Sequence, residues 1–349
     1  SKIIVFIIFG LLLSECPEGY EEYSSFSNNS CIDSFFDENS CYYISDLYIV
    51  NALLQNNCID YDNNGIYTTV ECVSDYDCNE DGIIWPIEIC SQTWESGRLI
   101  ELNCAGQELI GTIPEDIGNL TELLYLDMSN NMLEGIIPIS IGDLAELKWL
   151  YLGENVLSGE IPDEIGNLSN LECLHLRNSN LEGNIPVTMG NLENLQYLNL
   201  MYNNLNGNIP SNIGNIPYLY HLLLGANNLT GPIPSELMNL SFLIELGLWG
   251  NHLTGEIPNN IDNLIVLEHL YLGNNQLTGN IPNQINNMLS LKNIGLENNQ
   301  LSGEIPVDIG SLINLEVLWL NNNLLIGEIP VNIGNLNNAV EINLYENQL

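Results

Sequence analysis

From residue 99 to residue 349, hydrophobic and polar positions repeat in one frame of 24 residues, LxxLxLxxNxLxGxIPxxIGNLxx, without insertion or deletion. One proline in each copy marks the phase of the frame, at Pro114, Pro138, Pro162, Pro186, Pro210, Pro234, Pro258, Pro282, Pro306 and Pro330. In the LxxLxL part the apolar residues alternate, which predicts a short strand with one face turned inward. A unit this small cannot bury its apolar face alone, so the period predicts a solenoid of stacked copies.

An asparagine follows each predicted strand, as at Asn203 and Asn227, where the backbone must turn. Its amide can donate to and accept from peptide groups that would otherwise be buried unpaired, so we expect a buried asparagine ladder. Gln107 opens this series and Ser179 interrupts it, and the shorter serine predicts a weaker or water-bridged rung. The proline of GxIP lacks an N–H and forbids a helix through that point, which favours an extended turn on the far side.

The motif LxGxIPxxIGNL resembles the plant-type leucine-rich repeat found in receptor-kinase ectodomains and polygalacturonase-inhibiting proteins. Ten copies cover about 250 of the 349 residues. The resemblance implies a leucine-rich repeat solenoid of the α/β horseshoe class, with short parallel strands on the concave face and irregular or 3₁₀ segments on the convex side. It also implies an extracellular recognition role, without naming a ligand.

The segment before the repeats indicates export. Residues 1–15 combine Lys2 with an apolar run over residues 3–13, which is too short to span a membrane and has the form of a secretory signal. Eight of the nine cysteines lie within residues 16–104, and clustered cysteines in an exported chain predict disulfides whose connectivity stays open. We therefore expect residues 16–98 to form a disulfide-rich N-terminal cap on a secreted or cell-surface protein. Because the frame stops inside an eleventh copy, we expect further repeats or an anchor downstream.

Two stretches of the cap match the calcium-loop pattern D-x-[DN]-x-[DN]-G-x₅-E, in which alternate oxygens converge on a hard cation. The oxygen donors are Asp60, Asp62, Asn64 and Glu71 in the first stretch and Asp77, Asn79, Asp81 and Glu88 in the second. Asn-Gly and Asp-Gly are also ordinary turn pairs, so Ca²⁺ binding and plain turns both remain open. Loops stabilised by Ca²⁺ would favour an alternative function, that of an adhesin or surface-coat protein whose stacked repeats have a structural role.

The net charge of the chain limits the kinds of molecule that it can bind. The formal net charge is −40 because the chain has only five basic residues against 45 acidic ones. Such a field repels nucleic acid and anionic lipid and favours cations or basic partners. No glycine-rich phosphate loop or GxSxG motif occurs in the sequence, and we do not expect an enzyme.

The outward positions of the predicted strands carry the candidate binding residues. Strand alternation turns the third, fifth and seventh residues of LxxLxLxxN towards the concave side. We expect ligand contacts from Trp149, Tyr151, His175, Arg177, Tyr197, Met201, His221, Trp249, His269 and Tyr271. Aromatics also suit a half-exposed sheet, but exposed aromatic and arginine clusters are typical of interfaces, so we favour a protein, peptide or glycan ligand.

Cys173 and His175 point the same way from one strand and raise the hypothesis of a cysteine–histidine nucleophile. Residues two apart in a strand are roughly 6.6–7 Å apart, which is wide for the hydrogen bond that such a pair needs. The sequence instead predicts that Cys173 is an exposed thiol, unpaired or linked to a partner.

Overall fold

The computed structural model describes residues 20–22, 41–43, 90–96 and 98–349. The predicted secretory signal and both calcium motifs lie outside these residues. Tyr20–Glu22 pairs with Cys41–Tyr43 as a short antiparallel ladder. From residue 98 onwards the chain forms one continuous stack of repeats.

A single sheet of short strands, most of them three residues long, runs along the stack, and its strands are parallel from the first repeat to the last. The strands are Arg98–Asn103, Tyr125–Asp127, Trp149–Tyr151, Cys173–His175, Tyr197–Asn199, His221–Leu223, Glu245–Gly247, His269–Tyr271, Asn293–Gly295, Val317–Trp319 and Glu341–Asn343. Each residue pairs with the residue 24 positions away, as Leu150 does with Leu126 and Leu174. The constant sequence period therefore aligns equivalent side chains in straight columns across the sheet.

The opposite side of each repeat is a 3₁₀ segment that in most copies begins directly after the proline of GxIP. These segments are Glu115–Asn119, Ile139–Asp143, Asp163–Asn167, Val187–Asn191, Ser211–Asn215, Ser235–Asn239, Ile261–Asn263, Asn283–Asn287, Ile309–Ser311 and Val331–Asn335. Small parallel sheets lie between the two sides, formed by Ile110–Thr112, Met132–Gly135, Val156–Glu160 and Asn180–Glu182, and by Thr230–Pro232 with His252–Thr254. The predicted fold class is confirmed.

The apolar positions of the frame form one core that runs the length of the stack. Leu198, Leu222 and Leu246, the central residues of successive strands, are almost wholly buried. The isoleucines of IP and IG close the core from the other side, as Ile209 and Ile213 do. Each copy buries its apolar residues against its neighbours, which is why no copy is an independent unit.

The asparagine ladder is buried, as predicted, and its bonds cross from one repeat to the next. Asn227 Nδ2 donates to the carbonyls of Leu200, Leu224 and Gly225 at 2.9, 3.1 and 3.3 Å. Its Oδ1 accepts the amide of Leu205 at 3.1 Å. The hydroxyl of Ser179, by contrast, is buried and contacts no hydrogen-bond partner. One asparagine thus satisfies four backbone groups, and the serine rung does not replace it.

A short strand at residues 91–95 covers the edge of the first repeat. Ser91–Glu95 pairs antiparallel with Arg98–Asn103 at the edge of the main sheet. A disulfide joins Cys90 to Cys104, and Trp94 packs against the core. This bond confirms one disulfide of the predicted cap. None of the helices in the described residues is long and apolar enough to cross a membrane.

Candidate functional site

Six side chains from five neighbouring strands form a continuous line of ring contacts, which we call the aromatic track. Its members are Tyr125, Trp149, Tyr151, His175, Tyr197 and His221. Successive ring centroids lie 6.4 Å apart for Tyr125–Trp149, 5.8 Å for Tyr125–Tyr151, 6.0 Å for Tyr151–His175, 6.4 Å for His175–Tyr197 and 5.3 Å for Tyr197–His221. All six are half-buried, so each ring is fixed by its neighbours and still presents apolar area to the concave side.

A second cluster lies beside the track in the seventh and eighth positions of the frame. The guanidinium carbon of Arg177 lies 5.0 Å from the ring centroid of Tyr202, and the Tyr202 and Trp249 rings meet edge-on at 5.5 Å. The indole of Trp249 lies over Gly225, where a Cβ would stand only 2.7 Å from Nε1. Met201 occupies the seventh position between Arg177 and Gly225. The glycine therefore leaves the space that the tryptophan fills.

The last two predicted residues form a separate pair. The rings of His269 and Tyr271 are stacked, with centroids 6.1 Å apart. The side-chain amide of Asn293 holds this pair by donating to the Tyr271 hydroxyl at 2.9 Å. Glu245 and Gly247 lie on the strand between this pair and the aromatic track, and His221 Nδ1 lies 3.3 Å from Glu245 Oε2. The ten predicted residues thus share one face but fall into three groups.

Burial shapes the electrostatics of this face. Burial, and then the nearby Arg177, hold the pKa of His175 below its usual value, so its imidazole is neutral at pH 7. Burial and the neighbouring Asp127 carboxylate raise the pKa of Tyr125 to about 12. Burial also raises the pKa of Tyr151. Tyr125, Tyr151 and His175 consequently offer neutral hydrogen-bonding rings to the concave side.

The expectation of an exposed thiol at Cys173 is wrong. The side chain is unpaired but only 9% exposed, and its neighbours on the two adjacent strands are Trp149 and Tyr197. Burial raises the pKa of the thiol, an effect that a hydrogen bond with Tyr151 offsets in part. The thiol is therefore protonated at neutral pH, which disfavours its use as a nucleophile.

Two other outward positions are also more covered than strand alternation predicts. Asn199 and Leu223 are 2% and 5% exposed. Leu223 Cδ2 lies 3.2 Å from the Cβ position of Gly247 on the next strand, and the Asn199 amide donates to the Tyr197 hydroxyl at 3.2 Å. Among the described residues, no group of three or more histidine, cysteine or acidic side chains is placed to hold a metal ion. The predicted calcium ligands lie outside the described residues.

Two residues of this face were not among the sequence-predicted contacts. Tyr202 stands in the left-handed region, with φ of 56°, at a position that asparagine or glycine fills in several other copies. A tyrosine in such a place is the signal that could have identified it. Glu297 folds over Gly273 of the preceding repeat, and burial raises its pKa. In the sequence, only the glycines beneath this side chain, Gly273 and Gly295, could have indicated that Glu297 lies across the sheet.

Comparisons with known families decide the class of the chain. A leucine-rich repeat region model matches residues 97–209, and a second model, the Leucine Rich Repeat, matches residues 242–264, 266–288, 290–312 and 314–336. The chain is a leucine-rich repeat protein of the plant type. No curated protein sequence matches this leucine-rich repeat protein significantly.

Solved structures share its fold. The ectodomain of the plant membrane receptor kinase GASSHO1/SCHENGEN3 from Arabidopsis thaliana, in complex with CASPARIAN STRIP INTEGRITY FACTOR 2, is 38% identical with a TM-score of 0.66, covering 72% of this chain and 34% of that chain. The Arabidopsis receptor kinase HAESA ectodomain, in complex with an IDA peptide hormone ligand, is 36% identical with a TM-score of 0.68, covering 73% and 43%. A plant ice-binding protein is 29% identical with a TM-score of 0.65, covering 83% and 90%. The leucine-rich repeat protein thus spans less than half of these receptor ectodomains.

Proposed function

We propose that this leucine-rich repeat protein is an extracellular recognition module that binds an extended protein or peptide segment along its concave face. The aromatic track carries this proposal, because half-buried rings held by their neighbours provide contact area at low entropic cost. The similar HAESA ectodomain is solved with a peptide hormone ligand, which supports a peptide. The ice-binding neighbour is a reminder that the fold serves more than one ligand class.

The dimensions suit an extended chain. Seven strands separate Tyr125 from His269 inclusively, and a strand spacing of about 4.8 Å gives a surface roughly 30 Å long. An extended peptide rises about 3.3 Å per residue, so roughly nine residues would cover this distance. The flanking positions contribute Arg177 and Lys148, and Lys148 Nζ lies 5.7 Å from the Trp149 ring centroid.

Selection of peptides on the immobilised protein tests the proposal. A random peptide phage library should yield binders whose affinity falls by about 30-fold when Trp149 or Tyr151 is replaced by alanine, since a central anchor contributes about 2 kcal/mol. Tyr218→Ala is the matched control, because this exposed tyrosine lies outside the concave face, against Phe242. Binders that keep their affinity when Trp149, Tyr151 and Trp249 are all removed would move the site elsewhere, and a glycan array that succeeds where peptides fail would change the ligand class.

We also propose that the two motifs at residues 60–71 and 77–88 bind Ca²⁺ and stabilise the cap, the property expected of an adhesin or surface-coat protein. The support is the recurrence of the full ligand pattern in both stretches. Chelation should then lower the melting temperature of the full chain, because a cation that binds only the folded state stabilises it. Asp60→Ala combined with Asp77→Ala should remove this sensitivity, and melting curves that ignore calcium would identify both loops as ordinary turns.

A further inference from the structure

A second feature of the concave face lies beyond the aromatic track and differs from it chemically. We call it the carboxylate subsite, formed by Tyr271, Glu297 and Trp319 around Gly273 and Gly295. The carboxylate of Glu297 turns back across the preceding repeat, so that a Cβ at Gly273 would stand 2.6 Å from Oε2. A Cβ at Gly295 would stand 3.2 Å from the same oxygen. The two glycines therefore create the space in which this carboxylate lies.

Aromatic rings border the carboxylate. The Cβ position at Gly295 is 3.2 Å from Cδ1 of Tyr271 and 3.6 Å from Cε3 of Trp319, so the glycine sits between the two rings. Asn293 fixes Tyr271 from the third position by its hydrogen bond to the hydroxyl. A carboxylate beside two aromatic rings is an arrangement that suits an organic cation.

The polar atoms of this subsite are incompletely paired. Glu297 Oε1 accepts the side-chain amide of Asn274 at 3.2 Å. Glu297 Oε2 and Trp319 Nε1 are buried, yet neither has a hydrogen-bond partner within the described chain. Buried polar atoms are paired in the great majority of cases, and an unpaired carboxylate oxygen is costly. The Glu297 side chain as a whole remains partly exposed, so a ligand can approach this incompletely paired carboxylate.

The protein's own bases do not supply that donor. Lys292, the basic residue of the same repeat, binds Glu268 instead. Arg177 lies on a strand of the aromatic track and has Glu154 as its partner, with Nε and Oε1 3.6 Å apart. Among the ion pairs of the described residues, none involves Glu297, so no basic side chain there neutralises its carboxylate.

We propose that the carboxylate subsite binds an arginine or lysine side chain of the ligand, through a charge-assisted contact with the partly exposed side chain of Glu297 and contact with the rings of Tyr271 and Trp319. This proposal rests on the proposed function, since the ligand is the segment that lies along the concave face. A formal net charge of −40 favours the approach of such a basic segment.

Titration calorimetry with N-acetylargininamide tests the subsite directly, and N-acetylcitrullinamide is the neutral probe of the same shape. The full chain should bind the arginine probe about tenfold more tightly than the citrulline probe, the difference expected from roughly 1.4 kcal/mol of charge-assisted binding. Glu297→Gln, which keeps the side-chain shape, should abolish this preference. Glu245→Gln is the matched control, because it alters a half-buried carboxylate of the same face that already has His221 as partner. Equal binding of both probes, or a preference that survives in Glu297→Gln, overturns the proposal.

Selected peptides separate this proposal from the proposed function. Peptides selected on the wild-type protein should share one basic position whose enrichment disappears on Glu297→Gln. Peptides that depend on Trp149 and Tyr151 but show no basic preference would overturn the subsite and leave the proposed function intact. Discrimination between the two small probes, without any peptide that depends on the aromatic track, would support the subsite and overturn the proposed function.

Discussion

Replacing Asn227 with alanine should lower the free energy of unfolding by about 3 kcal/mol, since each buried backbone group left without a partner costs about 1–3 kcal/mol. The change removes three carbonyl contacts and one amide contact that link two repeats. Alanine cannot replace any of them, and the site is only 6% exposed, so water has little access. Urea denaturation followed by circular dichroism measures the loss.

Adding an asparagine to the ladder should have the opposite effect and stabilise the protein. Ser179→Asn introduces the standard side chain at the one rung between Asn155 and Asn203 that lacks it, where the serine hydroxyl has no partner. By analogy with its neighbours, the new amide would reach the carbonyls of Leu152 and Leu176, and we expect a gain of about 1 kcal/mol. A loss at Asn227 without a gain at Ser179 would restrict the prediction to established rungs. An unchanged free energy of unfolding in Asn227→Ala would contradict the prediction that the asparagine ladder stabilises the stack.

Gly214→Ala should destabilise the protein by about 3 kcal/mol, the upper end of the cost of inserting atoms into a packed interior. A Cβ there would meet the backbone of the next repeat, with Glu236 C at 2.5 Å and the Glu236 carbonyl oxygen closer still. Backbone cannot move aside as a flexible side chain can, so the two 3₁₀ segments would have to separate. Thermal and urea denaturation of the variant test this directly.

Gly247→Ala is the control. Neither Gly247 nor Gly214 has a positive φ, and a Cβ at Gly247 would meet the end of the flexible Leu223 side chain, with Cδ2 at 3.2 Å and the nearest backbone atom at 3.9 Å. A side chain can shift where the Glu236 backbone cannot, so this variant should lose much less stability. Equal destabilisation by both changes would mean that the loss of a glycine, and not contact with the backbone of the next repeat, sets the effect.

Much of the fold could be predicted because a fixed period leaves few alternatives. The strand residues, the buried leucines and the asparagine rungs all follow from position within the 24-residue frame. The outward orientation of Trp149 and Tyr151, at the third and fifth positions of the frame, likewise follows from strand alternation. The structure shows that both rings contact Tyr125 and so join one track.

The remaining features depend on side chains from neighbouring copies, which the frame does not specify. Cys173 is buried because its neighbours on adjacent strands are large, and a single-repeat pattern contains no information on this. Trp249 and Glu297 bend over Gly225 and Gly273 because those positions lack side chains. Predicting such details requires reading the sequence across copies, column by column.

Because the spacing between strands is constant, the number of repeats sets the length of the concave face. Gain or loss of one 24-residue unit by recombination would rejoin equivalent backbone positions and leave the asparagine rungs in place. It would change the distance between the aromatic track and Glu297 by one strand spacing, about 4.8 Å. Ligand length could thus evolve in discrete increments of between one and two residues, without rebuilding either end of the surface.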